Sequence, residues 1–586
     1  MRQWMVAAKK ADFYAIAEKF HVDPVVARII RNREVIGEKN IRIYLGGNLS
    51  DLSDPHQMKD MDQLVEILAQ KIRKQVHIRI IGDYDVDGVT SSHLFLTALR
   101  RVGAKVDVVI PHRIQDGYGL SLHLLQQAKE DGVDTILTCD NGIAAIDEIA
   151  WAKAQKMTVL VTDHHAVPFE EHEGRRTEKK SLADAVVNPH QQDCGYPYKE
   201  LCGAGVAWNV IRVLYENYDM DKREAEDLLD FVAMATVCDV MSLTGENRIL
   251  VKEGLKRIRH TKNIGLQALM QACNVQPENI SAYHFGYVLG PCVNATGRLD
   301  TARHALRLFE TGQETEAEEI ARDLVDLNQE RKELTLQGVE MAKKLCEEGG
   351  YENDPVLVLF LPDVHESIAG LIAGRIREMY NRPVFVLTRG EEGVKGSGRS
   401  TENYSMYENM CGCAELFTKF GGHPMAAGLS LPEENVEKFR RKINENCPLT
   451  VEEVCSDIHI DMAMPVGYAS TELVHQFALL EPFGKDNPSP LFADRNLSIS
   501  RMWVIGKNRN VLRMSVLSEY GQPVPVIFFG DVETLFAYFT EKFGQEEVEN
   551  ALHGRKNRIL FSMVYTAKID FYQGNENLQL EMKYYR

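Results

Sequence analysis

The stretch HIRIIGDYDVDGVTS, residues 77–91, decides the fold. HIRII is a short β-rich run, GDYDVDG is a polar turn, and residues 89–102 form an apolar, helix-like stretch. The alternation recurs downstream. VDVVI (106–110), VDTILT (133–138), MTVLVT (157–162) and ADAVVN (183–188) read as strands, with helix-like segments at 121–130 and 143–156. Strands alternating with helices of about 10–15 residues predict an α/β lobe built on a doubly wound parallel sheet. Residues 190–310 read as mostly helical. Residues 314–348 lack proline, hold Gly338 as their one glycine and are rich in Glu, Lys, Leu and Ala. They predict one long connecting helix, ~50 Å at 1.5 Å per residue. A second, smaller α/β lobe follows, with PVLVLF (355–360), a helix at 366–380, PVFVL (383–387) and the glycine-rich GSGRS (396–400). From about 450 the runs LSISRMWVI, VLRMSVL, VPVIFF and ILFSMVY alternate over short lengths and predict a small β-barrel. The domain boundaries expected are 1–75 (helical), 76–313, 314–350, 351–448 and 449–586.

Composition narrows the function. The chain has 586 residues, 44% hydrophobic and 26% charged, so it can bury several cores. No apolar run approaches the ~18 residues of a spanning helix, and Lys9 and Lys10 break the short apolar start, so neither a signal peptide nor a membrane partner is expected. The 11 cysteines are scattered with no CxxC pair, which points to a reducing cytoplasm rather than a zinc ribbon or disulfide framework. The net charge of −18 argues against a uniformly basic nucleic-acid coat but leaves room for a locally basic channel.

Asp83, Asp85 and Asp87 repel one another unless cations or protons neutralise them. An EF-hand loop also opens D-x-D-x-D-G, but it needs a preceding helix and a Glu at its twelfth position; here a strand precedes and Leu94 stands twelfth. TCDNG puts Asp140 after the third strand, and alone reads more readily as an ordinary turn. VTDHHAVP puts Asp163, His164 and His165 after the fourth. ATVCDVMSL puts Asp239 late in an apolar helical stretch, where an unpaired carboxylate is costly and a helix-end cap is the bland account. In an open parallel sheet, ligands bind beyond the carboxyl ends of the strands, so these groups are expected to meet there. Mixed carboxylate and imidazole ligands suit Mn²⁺, Mg²⁺ or Zn²⁺. Two such ions about 3.5–4 Å apart serve phosphoryl displacement. No Walker A sequence occurs.

GDYDVDG, CDNG, DHH and VCDVM resemble the four motifs of the DHH phosphoesterase superfamily. GPCVNATGRLDTA (290–302), VHESIAGLIAGRI (364–376), GSGRS, FGGHPMAAGLS (420–430) and LEPFGKDNPSPLF (480–492) further resemble its bacterial single-strand-specific exonucleases. The resemblance covers roughly 76–500 in motifs. Two positions depart from it: Cys292 stands where Arg is frequent, and Glu366 where Pro is common.

The resemblance implies a 5′–3′ exonuclease acting on single-stranded DNA in repair and recombination, with two Mn²⁺ or Mg²⁺ ions. It implies Asp83, Asp85, Asp87, Asp140, His164 and Asp239 as ligands, with Asp163 and His165 as ligands or as groups orienting one. Arg113, Arg298, Ser397 and Arg399 are implied to bind a terminal 5′-phosphate, GSGRS offering a glycine turn whose N–H groups approach the anion. His423 is implied to face the scissile region. The C-terminal region resembles an OB-fold, in which Trp503 with Arg501, Lys507, Arg509 and Arg513, and a second cluster of Arg555, Lys556 and Arg558, offer stacking and phosphate contacts. Implied partners are single-stranded DNA, a RecQ-type helicase and a single-strand-binding protein, acting on a monomer. The rival readings are a phosphodiesterase for short oligoribonucleotides or small nucleotides, and a catalytically dead DNA-binding scaffold. The barrel tail argues against the first and the complete ligand set against the second.

Overall fold

The computed structural model describes residues 3–113, 116, 119–172, 175–390, 393–506, 509–572 and 574–586. The chain divides into two compact units: Asn48–Ser456, and a second made of Gln3–Gly47 together with Asp457–Arg586.

In the first unit, five parallel strands form the catalytic-lobe sheet: β1 (His77–Ile81), β2 (Lys105–Val109), β3 (Thr135–Cys139), β4 (Thr158–Thr162) and β5 (Ala185–Val187). Their spatial order is β2–β1–β3–β4–β5. In that order the winding reverses between β1 and β3, opening a crevice at their carboxyl ends. Four helices of this lobe carry site residues: α1 (Val86–Arg101), α2 (Gly203–Asn217), α3 (Leu229–Cys238) and α4 (Gly290–Leu299). α1 and α2 lie almost wholly inside the core with Leu64, Ile80 and Trp208.

The connecting helix α5 runs Glu314–Glu348, as the proline-free stretch predicts. Its first half packs Ala317, Ile320 and Leu324 into the catalytic-lobe core. Its second half packs Val339, Ala342 and Cys346 against the smaller lobe. At Gly338 a Cβ would lie 2.3 Å from Ile372 Cδ1, so a larger residue would push that side chain aside.

The smaller lobe holds β6 (Leu357–Phe360), α6 (Ala369–Tyr380), β7 (Val384–Gly390), β8 (Gly393–Arg399), β9 (Lys419–His423) and β10 (Ala426–Leu431), in sheet order β9–β10–β8–β7–β6. GSGRS is not a turn: its Gly396–Arg399 part lies in the central strand β8, paired with β7 and β10. The glycines answer to crowding. A Cβ on Gly396 would meet Leu387 at 2.4 Å, and one on Gly398 would meet Met406 Sδ at 2.3 Å. The two-residue period of a strand then puts Ser397 and Arg399 together on the opposite face.

In the second unit, β11 (Met462–Ala463), β12 (Phe492–Ile505), β13 (Val511–Leu517), β14 (Pro523–Phe529), β15 (Leu560–Tyr572) and β16 (Asn575–Tyr585) form one sheet. β12 pairs with both β13 and β15, which closes it into an OB-like barrel. The N-terminal helices Phe13–Phe20, Pro24–Asn32 and Glu38–Gly46 share this barrel's core rather than heading the catalytic lobe. Val25, Val26, Ile29 and Ile30 form an apolar face that needs a cover, and Met464, Leu473 and Phe477 belong to the same cluster. Arg33 adds a two-point pair with Asp461, Nη1 to Oδ1 at 2.7 Å and Nη2 to Oδ2 at 3.1 Å. A short strand Trp4–Val6 runs parallel to Ile458–Ile460.

Candidate metal centre and phosphate-binding cleft

β1 ends at Ile81 and α1 begins at Val86, so the four residues between them cross the switch point. Asp85 caps α1, its Oδ1 accepting from Gly88 N at 3.0 Å. Val86 N donates to Asn294 Oδ1 at 3.1 Å, which ties the loop to α4. Asp87, in the first turn of α1, points at the amino end of α2, where Gly203 N and Ala204 N donate to its two carboxylate oxygens at 2.6 and 2.7 Å. Helix N-termini favour such an anion.

Asp140 follows β3 with φ +61, a left-handed conformation that Asp tolerates better than most residues. Asp163 follows β4. Its Oδ1 accepts from His164 N at 2.7 Å, His165 N at 3.0 Å and His165 Nδ1 at 2.8 Å, and its Oδ2 from Ile143 N at 2.9 Å. These donors engage both oxygens of Asp163, and it orients the His165 ring. Asp239 caps α3, and the next residue, Val240, sits at φ +55. That is a strained choice for a β-branched residue, of the kind functional sites retain.

The groups meet. His164 Nε2 lies 3.0 Å from Asp140 Oδ1, 3.6 Å from Asp87 Oδ2 and 3.6 Å from Asp239 Oδ2. Three sets of ligand atoms, each within 4.8 Å of one another, emerge: Asp83–Asp85–Asp140, Asp87–His164–Asp239 and Asp140–His164–His165. Asp140 is common to two of them, and so is His164.

Electrostatics tests the fit to cations. Burial, then the charge of Asp85, pushes the Asp83 carboxyl well up; burial and Asp87 push Asp85 up; burial, Asp87 and Asp85 push Asp140 well up. Such crowding of buried like charges is relieved by cations, which invert the local preference. Burial pushes the His164 imidazole down, toward the neutral form a metal requires. Its Nε2 is buried without a hydrogen-bond partner, as is Asp83 Oδ1. Burial alone pushes His165 down, but its bond to Asp163 and the nearby carboxylates outweigh that and raise it to about 9. The donor set therefore fits two divalent oxygen- and nitrogen-seeking ions.

A cleft of about 420 Å³ lies between the two lobes of this unit, lined by Tyr84, Arg113, Glu366, Ser367, Lys395, Ser397, Lys419 and Phe420. Beside it, Arg298 shares a second hollow with Arg113, His112 and His365, and donates Nη1 to Ser367 O at 2.6 Å. Burial, then the charges of Arg113, Arg331 and Arg399, lowers Arg298 to about 10. Burial, then Arg113 and Arg377, lowers Arg399. Among the described residues no ion pair holds Arg113, Arg298 or Arg399. Crowded guanidinium groups that no carboxylate pairs suit a phosphate.

Glu366 pairs with Lys395 at 2.8 Å inside the cleft. His423 ends the exposed edge strand β9 and is not among the lining residues. Tyr84, Lys395, Lys419 and Phe420 are not singled out as site residues by the sequence. Two of them lie inside quoted motifs, Phe420 at the head of FGGHPMAAGLS and Tyr84 between Asp83 and Asp85 of GDYDVDG, with the Arg113 guanidinium 4.9 Å from the Tyr84 ring.

On the barrel, Arg501 lies 5.7 Å from the Trp503 ring, and Trp503 stands opposite Arg513 in the strand register. Arg509 is exposed, Arg558 is paired with Glu547 at 2.7 Å, and Lys507 lies outside the described residues.

Comparison with known proteins agrees with this arrangement. The DHH family N-terminal domain matches residues 77–236, the DHHA1 domain 353–447 and the RecJ OB domain 460–584. The chain is 32% identical to the single-stranded-DNA-specific exonuclease RecJ of Haemophilus influenzae, covering 96% of each. It is 32% identical to that of Bacillus subtilis over 87% of this chain, spanning 63% of the Bacillus protein. The crystal structure of Thermus thermophilus RecJ in complex with Mn²⁺ superimposes with a TM-score of 0.81 at 25% identity, over 100% of this chain and 79% of that one. With both lobes, the barrel and the ligand-bearing strand ends all in place, the chain belongs to the RecJ family of the DHH superfamily.

Proposed function

We propose that the chain is a metal-dependent exonuclease that degrades single-stranded DNA from its 5′ end and releases mononucleotides. The observation that carries this reading is the adjacency, within one unit, of a carboxylate–histidine centre and a cleft whose lining and adjoining hollow hold Arg113 and Arg298. Asp83, Asp85 and Asp140 would hold one Mn²⁺ or Mg²⁺ ion, and Asp87, His164 and Asp239 a second, with His165 beside them. Ions in such a pair lower the pKa of water and stabilise charge on the leaving oxygen. The remaining work falls to the chain. Asp163 fixes the His165 ring. Arg113, Arg298 and Arg399, with Ser397, hold the terminal phosphate and set the distance from the strand end to the centre. Tyr84 and Phe420 offer apolar walls for the first bases, and His423, on the edge strand, faces the bound strand. Trp503, Arg501 and Arg513 offer a stacking surface for single-stranded nucleic acid.

The names of the relatives support the substrate. The barrel favours long strands over the short oligoribonucleotides of the rival reading. Among the described residues no helix is long and apolar enough to cross a membrane. A cytoplasmic monomer, fed by a RecQ-type helicase and by strands carrying a single-strand-binding protein, fits this activity. Digestion of 5′- and 3′-labelled single strands, with Mn²⁺, Mg²⁺ or chelator, tests the reading. Early release of the 5′ label, only with metal, is expected. Release from the 3′ end, or undiminished hydrolysis in chelator, overturns it.

A further inference from the structure

Cys273 Sγ and Cys292 Sγ lie 3.7 Å apart, the only sulfur–sulfur hydrogen bond among the described residues. Cys273 caps the helix Ile264–Ala272 and is half-buried; Cys292, in α4, is buried in the catalytic-lobe core. Cys273 is thus the more exposed of the two residues. Small side-chain rotations separate this contact from the ~2.05 Å of a disulfide.

The surroundings divide the labour between the two thiols. The contact with the Cys292 sulfur and the nearby Lys332 charge pull the Cys273 thiol down, while that same contact and burial push Cys292 up. The thiolate is the reactive form, so Cys273 is the group that meets an oxidant first.

Cys292 also stands on a helix with little slack. Asn328 Nδ2 donates to its sulfur at 3.4 Å, and Asn328 Oδ1 is held by Arg331 at 2.8 and 3.1 Å. Further along α4, a Cβ on Gly297 would lie 2.4 Å from Tyr84 O, between the ligands Asp83 and Asp85. The next residue is Arg298 of the cleft. The π-helical turn Phe285–Leu289 leads directly into α4, and such turns are frequent at functional sites.

We propose that Cys273 and Cys292 form a peroxide-responsive dithiol whose closure to a disulfide shifts α4 and slows cleavage at the adjoining centre. The second half rests on the nuclease reading; the first does not. The Cys273 thiolate attacks a peroxide oxygen: an S–O bond forms, the O–O bond breaks, and the departing hydroxide takes a proton to become water. The Cys292 thiol then loses its proton and attacks the Cys273 sulfur: the S–S bond forms, the S–O bond breaks, and a second water leaves. Two thiols and one hydrogen peroxide give one disulfide and two waters. A dithiol reductant reverses the closure.

The test uses the full chain treated with hydrogen peroxide, then with or without dithiothreitol. Peptide mass spectrometry should find the Cys273 and Cys292 peptides linked, with the loss of two hydrogens, and the link should vanish on reduction. Strand cleavage should fall about tenfold in the linked form, as misplacing catalytic groups by ~1 Å costs up to ~10²-fold, and should recover on reduction. Cys273→Ser should keep basal activity and lose both link and sensitivity, whereas the exposed-cysteine variant Cys411→Ser should keep both. Cys273 oxidised without a link overturns the dithiol. A full link with unchanged cleavage, or peroxide sensitivity that persists in Cys273→Ser, overturns its action on the centre. Absence of nuclease activity from the reduced protein would strike the nuclease reading instead, since the mass measurement stands apart from it.

Discussion

Gly203 lies against Asp140 so closely that a Cβ on the glycine would sit 2.6 Å from the Asp140 Cβ. The same residue donates its backbone N–H to Asp87. One glycine thus spaces two proposed ligands that belong to different strand ends. Gly203→Ala should keep the fold at a cost of about 1–3 kcal/mol for overpacking. It should lower cleavage by about 10²-fold, since displacing catalytic groups by ~1 Å has that effect. Gly374→Ala, on the open side of α6 where a Cβ meets nothing within 4 Å, is the control and should leave activity alone. Equal activity of the two variants would show that Gly203 does not space the ligands.

Arg399 should govern recognition of the strand end. If it holds a 5′-phosphate, one charged hydrogen bond contributes roughly 1.5–3 kcal/mol, or about tenfold or more at loading. Initial rates on 5′-phosphorylated and 5′-hydroxyl strands, at one salt concentration, should show a preference in the intact protein that Arg399→Ala mostly erases. A lower rate on both ends with the ratio unchanged would make Arg399 a general channel charge.

Stability should depend on pH through His93. Its ring packs 4.4 Å from Phe231 and 5.8 Å from Phe309, and its Nδ1 is buried without a partner. Burial, then Arg100, lowers its pKa to about 3. Below pH ~6.5 the unfolded chain protonates this group and the native state does not. Native stability is therefore lost at about 1.4 kcal/mol per pH unit as pH falls from ~6.5 toward ~3. Asp230, raised to about 6 by burial, works oppositely: the native state binds its proton first, so it adds stability as pH falls from ~6 toward ~4. Removing His93 should unmask that gain. Thermal melts of intact protein and His93→Leu at pH 7.5 and 5.0 should show a clearly smaller acid loss in the variant. Identical pH slopes would contradict the buried, neutral histidine.

Residues 48–456 should fold alone, bind Mn²⁺ and cleave short strands. They should bind long strands more weakly than the full chain, each lost base-stacking contact contributing about 1–3 kcal/mol. A chain ending at Cys447 should fare worse than this fragment. It keeps the helix Pro24–Asn32 without the cover of its apolar face, and it loses Val454, which is buried in the smaller lobe's core. Sedimentation and melting of both fragments provide the check: a soluble, cooperatively melting 1–447 chain would contradict the unit boundaries.

The catalytic edge was legible because its information is local. Except for Asp239, which ends helix α3, the proposed ligands follow strands within a few residues, and strand alternation with helices is visible in single windows, so β1 spans the residues expected. The clamp on Asp87 was not legible. It joins residues 116 or more positions apart, and CGAG carries no signal of an anion partner. GSGRS misled because glycine marks turns in most contexts, whereas here it marks places where Leu387, Phe385 and Met406 leave no room. The N-terminal helices misled for the same long-range reason: nothing in residues 13–46 says that their cover arrives after residue 456.

That late arrival has a consequence for synthesis. The first helices leave the ribosome more than 400 residues before the segment that shields them, whereas everything the centre needs is already present by residue 456. The nuclease unit is in effect an insert within the barrel unit's own sequence, and it can mature on a nascent chain whose opening segment still waits. A chain cut short by damaged message would present a finished hydrolytic centre beside an uncovered apolar helix, a combination that proteases and chaperones detect.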